Sequence, residues 1–222
     1  MSGNSIVFLF DVDNTLLDND RVTADLRAFL SEKFGPEIET RYWSLFESLR
    51  AELGYADYLG ALQRFRQERP RDPHILAVSE FLLEYPFRER LFPGALDALA
   101  ACARLGPVAI LSDGDAVFQP RKIARSGLRE AVDGRVLVYT HKETMLDDVQ
   151  ARLPAARYVM VDDKRRILAA LKTAWGARVT TVFPAQGHYA SDPGQAAAAP
   201  KPDVRIAAIA ELAALAPGLV RG

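Results

Sequence analysis

The chain has 222 residues, 28 Lys+Arg against 29 Asp+Glu, and a composition that is 49% hydrophobic, which is enough apolar material for a full core and speaks against disorder. A formal net charge of −1 offers no broad field for wrapping nucleic acid or docking on an anionic membrane, so an anionic ligand has to be held by local chemistry. One cysteine, Cys102, excludes an internal disulfide framework and a multi-cysteine zinc site. No apolar stretch approaches the roughly 20 residues that a bilayer requires, and the first residues lack a basic flank followed by a long apolar run, so the expected location is cytoplasmic.

The first element is a strand, Ile6-Val7-Phe8-Leu9-Phe10, whose unbroken apolar run suits burial on both faces. It ends in Asp11-Val12-Asp13-Asn14-Thr15. From about residue 19 to residue 90 no strand pattern appears, and helical apolar stripes follow one another: Leu26, Phe29, Leu30 and Phe34; Trp43, Phe46, Leu49 and Leu53; Leu59, Leu62 and Phe65; Ile75, Val78, Phe81 and Leu82. Gly35-Pro36 and the segment 69–73, with two prolines, separate them. These stripes predict a helical subdomain whose aromatics mainly pack against one another.

Phe92-Pro93-Gly94 then returns the chain to strands at 108–111, Val136–Tyr139, 158–161 and 179–183, with helical patterns over 95–105, 116–126, 144–153 and Arg165–Trp175. Strand and helix in alternation predict an α/β fold, a Rossmann-like doubly wound parallel sheet. The Ala, Pro and Gly-rich segment 191–202 reads as a loop, and 204–215 as a last helix. The expected division is a catalytic core of residues 1–18 and 91–222 with a helical cap of residues 19–90.

Asp11 and Asp13 leave a buried strand where open α/β sheets place their ligands. One such carboxylate can attack phosphorus while a second protonates the leaving oxygen and later activates water. Two carboxylates held so close need a cation before they attract phosphate, and magnesium, an oxygen-seeking ion that bridges carboxylate to phosphate, is the natural one. A second acidic pair, Asp162-Asp163, follows another strand. After the strand at 108–111, the Ser112 hydroxyl and the following backbone amides, beginning with Asp113, offer hydrogen bonds to a phosphate. Lys142, just past a further strand, supplies a positive charge that offsets the carboxylates.

In order and spacing these segments resemble the four motifs of the haloacid dehalogenase superfamily, across nearly the whole chain. The resemblance implies Asp11 as nucleophile, Asp13 as acid/base, Thr15 as a phosphate or positioning contact, Ser112 as the second motif's hydroxyl and Lys142 as the third motif's lysine. It implies a magnesium site at Asp11, Asp13, Asp162 and Asp163, with Asp163 the direct ligand and Asp162 binding directly or through water. Lys142 is preferred to Lys122 because it follows a strand, whereas Lys122 lies in a helical pattern. The insertion resembles the helical cap placed between the first two motifs, joined to the core near residues 17–21 and 88–93, and Arg41, Arg64 and Arg66 are its candidate anion contacts.

The expected activity is a magnesium-dependent phosphatase of a small phosphorylated metabolite, with neither nucleic acid nor membrane as partner. A 2-haloacid dehalogenase needs no acid for a halide and no metal, so Asp13 and Asp162-Asp163 speak against it. A phosphomutase shares the same intermediate, and a phosphate-binding descendant without turnover keeps the same fold. A phosphorylated receiver module would be shorter, uninterrupted, and would carry its aspartate on a later strand. Phosphonate cleavage would need a cap lysine, and the cap region holds only Lys33, in its first helical stripe.

Overall fold

The computed structural model describes residues 5–192, 194 and 197–220. Its sheet has six parallel strands, β1 (Ile6–Phe10), β2 (Val108–Asp113), β3 (Val136–Tyr139), β4 (Arg157–Val161), β5 (Val179–Pro184) and β6 (Val204–Ile206), in the order β3-β2-β1-β4-β5-β6. Each residue of β1 is buried, as expected of a central strand covered on both sides. Alternate side chains serve different layers. Ile6, Phe8 and Phe10 pack with Leu99, Ile209 and Leu212, whereas Val7 and Leu9 pack with Val149, Ile167 and Leu168. The chain is therefore an α/β protein with helices on both faces of one parallel sheet.

Five helices separate the first two strands, the first four of them forming the insertion: α1 (Asn19–Phe34), α2 (Pro36–Leu53), α3 (Tyr58–Glu68) and α4 (Ile75–Glu84). Gly35, at φ +91°, and Pro36 at the first position of α2 divide the first two, because the glycine takes a backbone angle closed to other residues and proline starts a helix without losing a bond. The buried residues Leu26, Leu30, Trp43, Phe46, Leu49, Leu62, Phe65, Ile75, Val78 and Leu82 fall on the expected stripes. Tyr42 and Tyr58 join them, the Tyr42 hydroxyl donating to the Tyr58 carbonyl at 2.9 Å. The two connections to the core run side by side, Asp18 N donating to Arg90 O at 2.8 Å and Phe92 N to Leu16 O at 2.9 Å.

After the insertion come α5 (Ala95–Ala103), α6 (Phe118–Arg125), α7 (Leu128–Ala131), α8 (Leu146–Arg152), α9 (Arg165–Trp175) and α10 (Leu212–Leu219). The C-terminal segment departs from expectation: the single helix over 204–215 is replaced by the edge strand β6, a 3-10 turn at Ile209–Glu211 and α10. Residues 204–206 pair with β5 in register Val182 to Val204, so sheet hydrogen bonds displace a helix that local composition favoured. Among the described residues no helix is long and apolar enough to cross a membrane.

Candidate active site

The sheet order changes direction at β1, which has β2 on one side and β4 on the other. Ligands of open α/β sheets bind beyond the carboxyl ends of the strands at such a point. Phe10 is paired with Val161, and Asp11 N donates to Val161 O at 3.0 Å, so Asp11 leaves β1 level with the acidic pair that leaves β4. Oxygens of Asp11, Asp162 and Asp163 lie within 4.8 Å of one another, all three residues being buried. The turn after Asp11 is tight: Leu16 and Leu17 both donate to Val12 O, and Asn14 sits at φ +59°, a conformation that asparagine tolerates better than most residues. The Asn14 side chain accepts from the backbone amides of Asn19 and Asp20, fixing the start of α1 against this turn.

Lys142 is fully buried and holds the acidic cluster together. Its Nζ is 2.6 Å from Asp11 Oδ1, 2.7 Å from Asp162 Oδ2 and 3.2 Å from Leu111 O. Burial alone would depress its pKa, yet the carboxylates of Asp11, Asp162 and Asp113 overcome that effect and raise it above the usual lysine range. Asp113 accepts from the Lys142 backbone amide at 2.7 Å and so anchors the loop that carries the lysine. Burial pushes Asp113 upward, against the pull of Lys142.

One cation does not neutralise this cluster. Burial, opposed by Lys142 and reinforced by Asp11, raises Asp162 to about 6, and burial together with Asp11 and Asp162 raises Asp163 well above the carboxylate range. Among the described residues, both oxygens of Asp163 and Oδ2 of Asp11 are buried with no hydrogen-bond partner. Unpaired buried oxygens of this kind are costly unless a further positive group meets them, and the donor set suits a hard divalent cation. The cluster of Asp11, Asp162 and Asp163 could therefore bind a metal. Thr15 Oγ1 accepts from Asp163 N at 3.0 Å, which places the threonine behind the acidic loop. Asp162 Oδ1 accepts from Lys164 N at 2.7 Å.

Asp13 is placed differently from Asp11. Its carboxylate lies outside the three-acid cluster, with 25% of the side chain exposed, and is held by Lys122 Nζ on Oδ1 at 2.7 Å and by Gln119 Nε2 on Oδ2 at 3.3 Å. Gln119 also donates to Ser112 Oγ at 2.9 Å. Asp13, Asp113 and Lys164 reach a cavity of about 600 Å³ that the cap closes with Trp43, Phe46 and Tyr58. Its arginines are Arg27, Arg50 and Arg166. Of those expected from the cap, Arg41 pairs with Glu68 and Arg64 with Glu52 on the outer surface, and Arg66 is exposed outside the lining.

Several groups at the site were not singled out by sequence reasoning. Gln119 sits on α6 beside Lys122, the lysine set aside in favour of Lys142, Lys164 follows the acidic pair, and His188 and Tyr189 come from the loop after β5. Tyr189 Oη accepts from Arg50 Nη2 at 2.6 Å, linking that loop to the cap. A second link lies at Gly54, the left-handed residue ending α2, where a Cβ would stand 2.7 Å from His141 Cε1. The helix end can approach the loop before Lys142 because that position carries no side chain.

Residues 7–175 match the sequence profile of the haloacid dehalogenase-like hydrolases. A haloacid dehalogenase-like hydrolase from Burkholderia xenovorans LB400 is 62% identical, superposes with a TM-score of 0.91, and is matched over 95% of this chain and 98% of its own. L-2-haloacid dehalogenase from Xanthobacter autotrophicus, with chloropropionic acid covalently bound, shares the fold at 18% identity and a TM-score of 0.62, over 96% of this chain and 98% of its own. A Bacillus subtilis hydrolase of the same type, bound to magnesium, does so at 17% identity and a TM-score of 0.61, over 96% and 99% of the two chains. No curated protein matches the chain. The profile match across three-quarters of the sequence and the close relative together show that this chain belongs to the haloacid dehalogenase-like hydrolases.

Proposed function

We propose that the protein is a magnesium-dependent phosphatase of a small phosphorylated metabolite, acting through an aspartyl phosphate on Asp11. The observation that carries this reading is Asp13. A second carboxylate, two residues from Asp11, reaches the cavity while Asp11 stays buried with Lys142. A departing alkoxide needs a proton and a halide does not, so a group placed to supply one suits phosphate esters. Asp11 would form a bond to phosphorus as the ester P–O bond breaks, the proton of Asp13 passing to the leaving oxygen. Asp13, now a carboxylate, would take a proton from the water that hydrolyses the aspartyl phosphate.

Asp11, Asp162 and Asp163 would hold magnesium, which when bound offsets the charge of the carboxylates and of the phosphate. Lys142 holds and orients the Asp11 carboxylate, and Thr15 and Asp113 hold the loops bearing Asp163 and Lys142. Ser112 is the remaining hydroxyl candidate for phosphate, with the amides that follow it. The cap shuts the reaction away from bulk water, and its cavity has the size of a small-molecule site.

The test is a panel of phosphate monoesters and 2-haloacids, assayed with magnesium and with chelator. Phosphate release that requires magnesium is expected. Halide release with no phosphate release would replace this reading by dehalogenation.

Metal binding should also appear in thermal stability. Because the folded-state values of Asp162 and Asp163 are raised, the stability they contribute without metal is full below the unfolded carboxylate value and falls as pH rises, through about 6 for Asp162. Magnesium takes the deprotonated form, so its increase in Tm should be larger near pH 7.5 than near pH 5. Asp163→Asn should remove more of that increase than Asp162→Asn, since both Asp163 oxygens lack partners while Asp162 already serves Lys164 and Lys142. Differential scanning fluorimetry of the three proteins checks both points, and an equal increase at the two pH values would count against the site.

A further inference from the structure

We propose that Lys122 is a positioning residue for the acid/base Asp13, tying its carboxylate to the hinge of the cap. This rests on the phosphatase reading. Lys122 is fully buried in α6, where a cation without strong partners would be destabilising. Its ammonium donates to Asp13 Oδ1 at 2.7 Å and to Asn19 Oδ1 at 3.0 Å, with the Phe118 ring centroid 5.0 Å away. Gln119, three residues earlier and thus on the same helix face, donates to Asp13 Oδ2. One face of α6 therefore holds both oxygens of the side chain that reaches the cavity.

Asn19 extends the connection into the cap. It is the first residue of α1, and its Nδ2 donates to Tyr58 Oη at 3.2 Å, Tyr58 being the first residue of α3 and part of the cavity wall. Tyr58 Oη also lies 3.0 Å from Thr23 Oγ1. The series Asp13, Lys122, Asn19, Tyr58 joins the proton-transfer group to two helices of the lid. Lys122 is distinct in place and partners from Lys142, which meets Asp11 and Asp162.

When the ester P–O bond breaks, the proton moves from Asp13 to the departing oxygen, and the carboxylate left behind faces the Lys122 ammonium. Lys122 thus fixes the position from which Asp13 gives up its proton. Its loss should matter most where the leaving group needs the proton most. An alkyl alkoxide is strongly basic, whereas a nitrophenolate departs without help.

The experiment measures kcat/KM of wild type, Lys122→Met, Asn19→Ala and Asp13→Asn against phosphate monoesters running from alkyl to nitrophenyl. In kcat/KM the formation of the aspartyl phosphate is read without the later hydrolysis. Lys122→Met should lose on the order of 10²-fold on alkyl phosphates and only a few-fold on nitrophenyl phosphate, approaching the steeper leaving-group dependence of Asp13→Asn. Asn19→Ala, at a partly exposed position that leaves the ion pair in place, should steepen the dependence by a smaller amount.

A uniform loss across the series in Lys122→Met would overturn the positioning role, because general damage to the fold does not select among leaving groups. If Lys122→Met does not fold, the Asn19→Ala series decides, and an unchanged slope there overturns the proposal. Absence of phosphate release by wild type would overturn the phosphatase reading itself, an outcome distinct from turnover that is insensitive to either variant.

Discussion

Asp11→Asn is expected to lose phosphatase turnover on the order of 10⁴-fold or more while retaining its fold, because it removes the attacking oxygen rather than a helper. Asp11 as a residue is 3% exposed and sits at the carboxyl end of a central strand whose backbone is paired on both sides. Asparagine has nearly the same volume and keeps one oxygen for Lys142, so packing at Phe10 and Val161 need not change. What it lacks is a negative oxygen able to form an acyl phosphate. Steady-state release of phosphate, with circular dichroism as the check on folding, separates the two effects. Activity near the wild-type level in a folded Asp11→Asn protein would rule out Asp11 as the nucleophile.

Lys142→Met is expected to be damaging to stability as well as to turnover. The ammonium is fully buried between Asp11 and Asp162, each of them at most 4% exposed in its side chain. Taking one partner from such a buried cluster leaves uncompensated charge, at a cost of about 3–5 kcal/mol, and a chain of this length shifts by about 2–4 °C in Tm for each kcal/mol. The loss should depend on pH. Asp162, already raised to about 6 by burial, would move further upward without the lysine and would take up a proton in acid. The stability gap from wild type should therefore be wider near pH 8 than near pH 5, since in acid a proton on Asp162 neutralises charge that the lysine no longer meets. Thermal melts at both pH values measure it, and an equal gap would mean that lost packing rather than lost charge dominates.

The parts of this protein that could be read from sequence share a physical property: their signal lies in a short local run. Continuous apolar strands such as Ile6–Phe10, carboxylates two residues apart at a strand end, and helical stripes such as Trp43, Phe46 and Leu49 need no knowledge of distant partners. The long insertion after the first strand was legible for the same reason. The edge strand Val204–Ile206 was not, because three residues are too few for any period and an alanine-rich helical pattern follows them.

The site shows the same boundary. Lys122 falls in a segment with helical spacing, where lysine ordinarily faces water, and only the meeting of α6, which carries Phe118, with Tyr58 and the turn bearing Asp13 reveals that it is buried. Choosing among cap arginines fails likewise. Arg27 and Arg50 line the cavity while Arg41 and Arg64 pair on the outside, a difference set by how α1, α2 and α3 rotate against the core rather than by any local motif. His188 and Tyr189 come from a loop after β5 with no motif of its own, and they reach the site through Asp20 and Arg50.

The central claim is that Asp11 carries a phosphoryl group during turnover. The direct measurement is acid quenching of the enzyme with magnesium and a turned-over phosphate monoester, followed by mass spectrometry of the peptide that contains Asp11. The mass of one added phosphoryl group on Asp11, absent in Asp11→Asn, is the predicted result. Turnover with no label there, or an Asp11 ester formed from a 2-haloacid while phosphate esters leave the residue untouched, would contradict it.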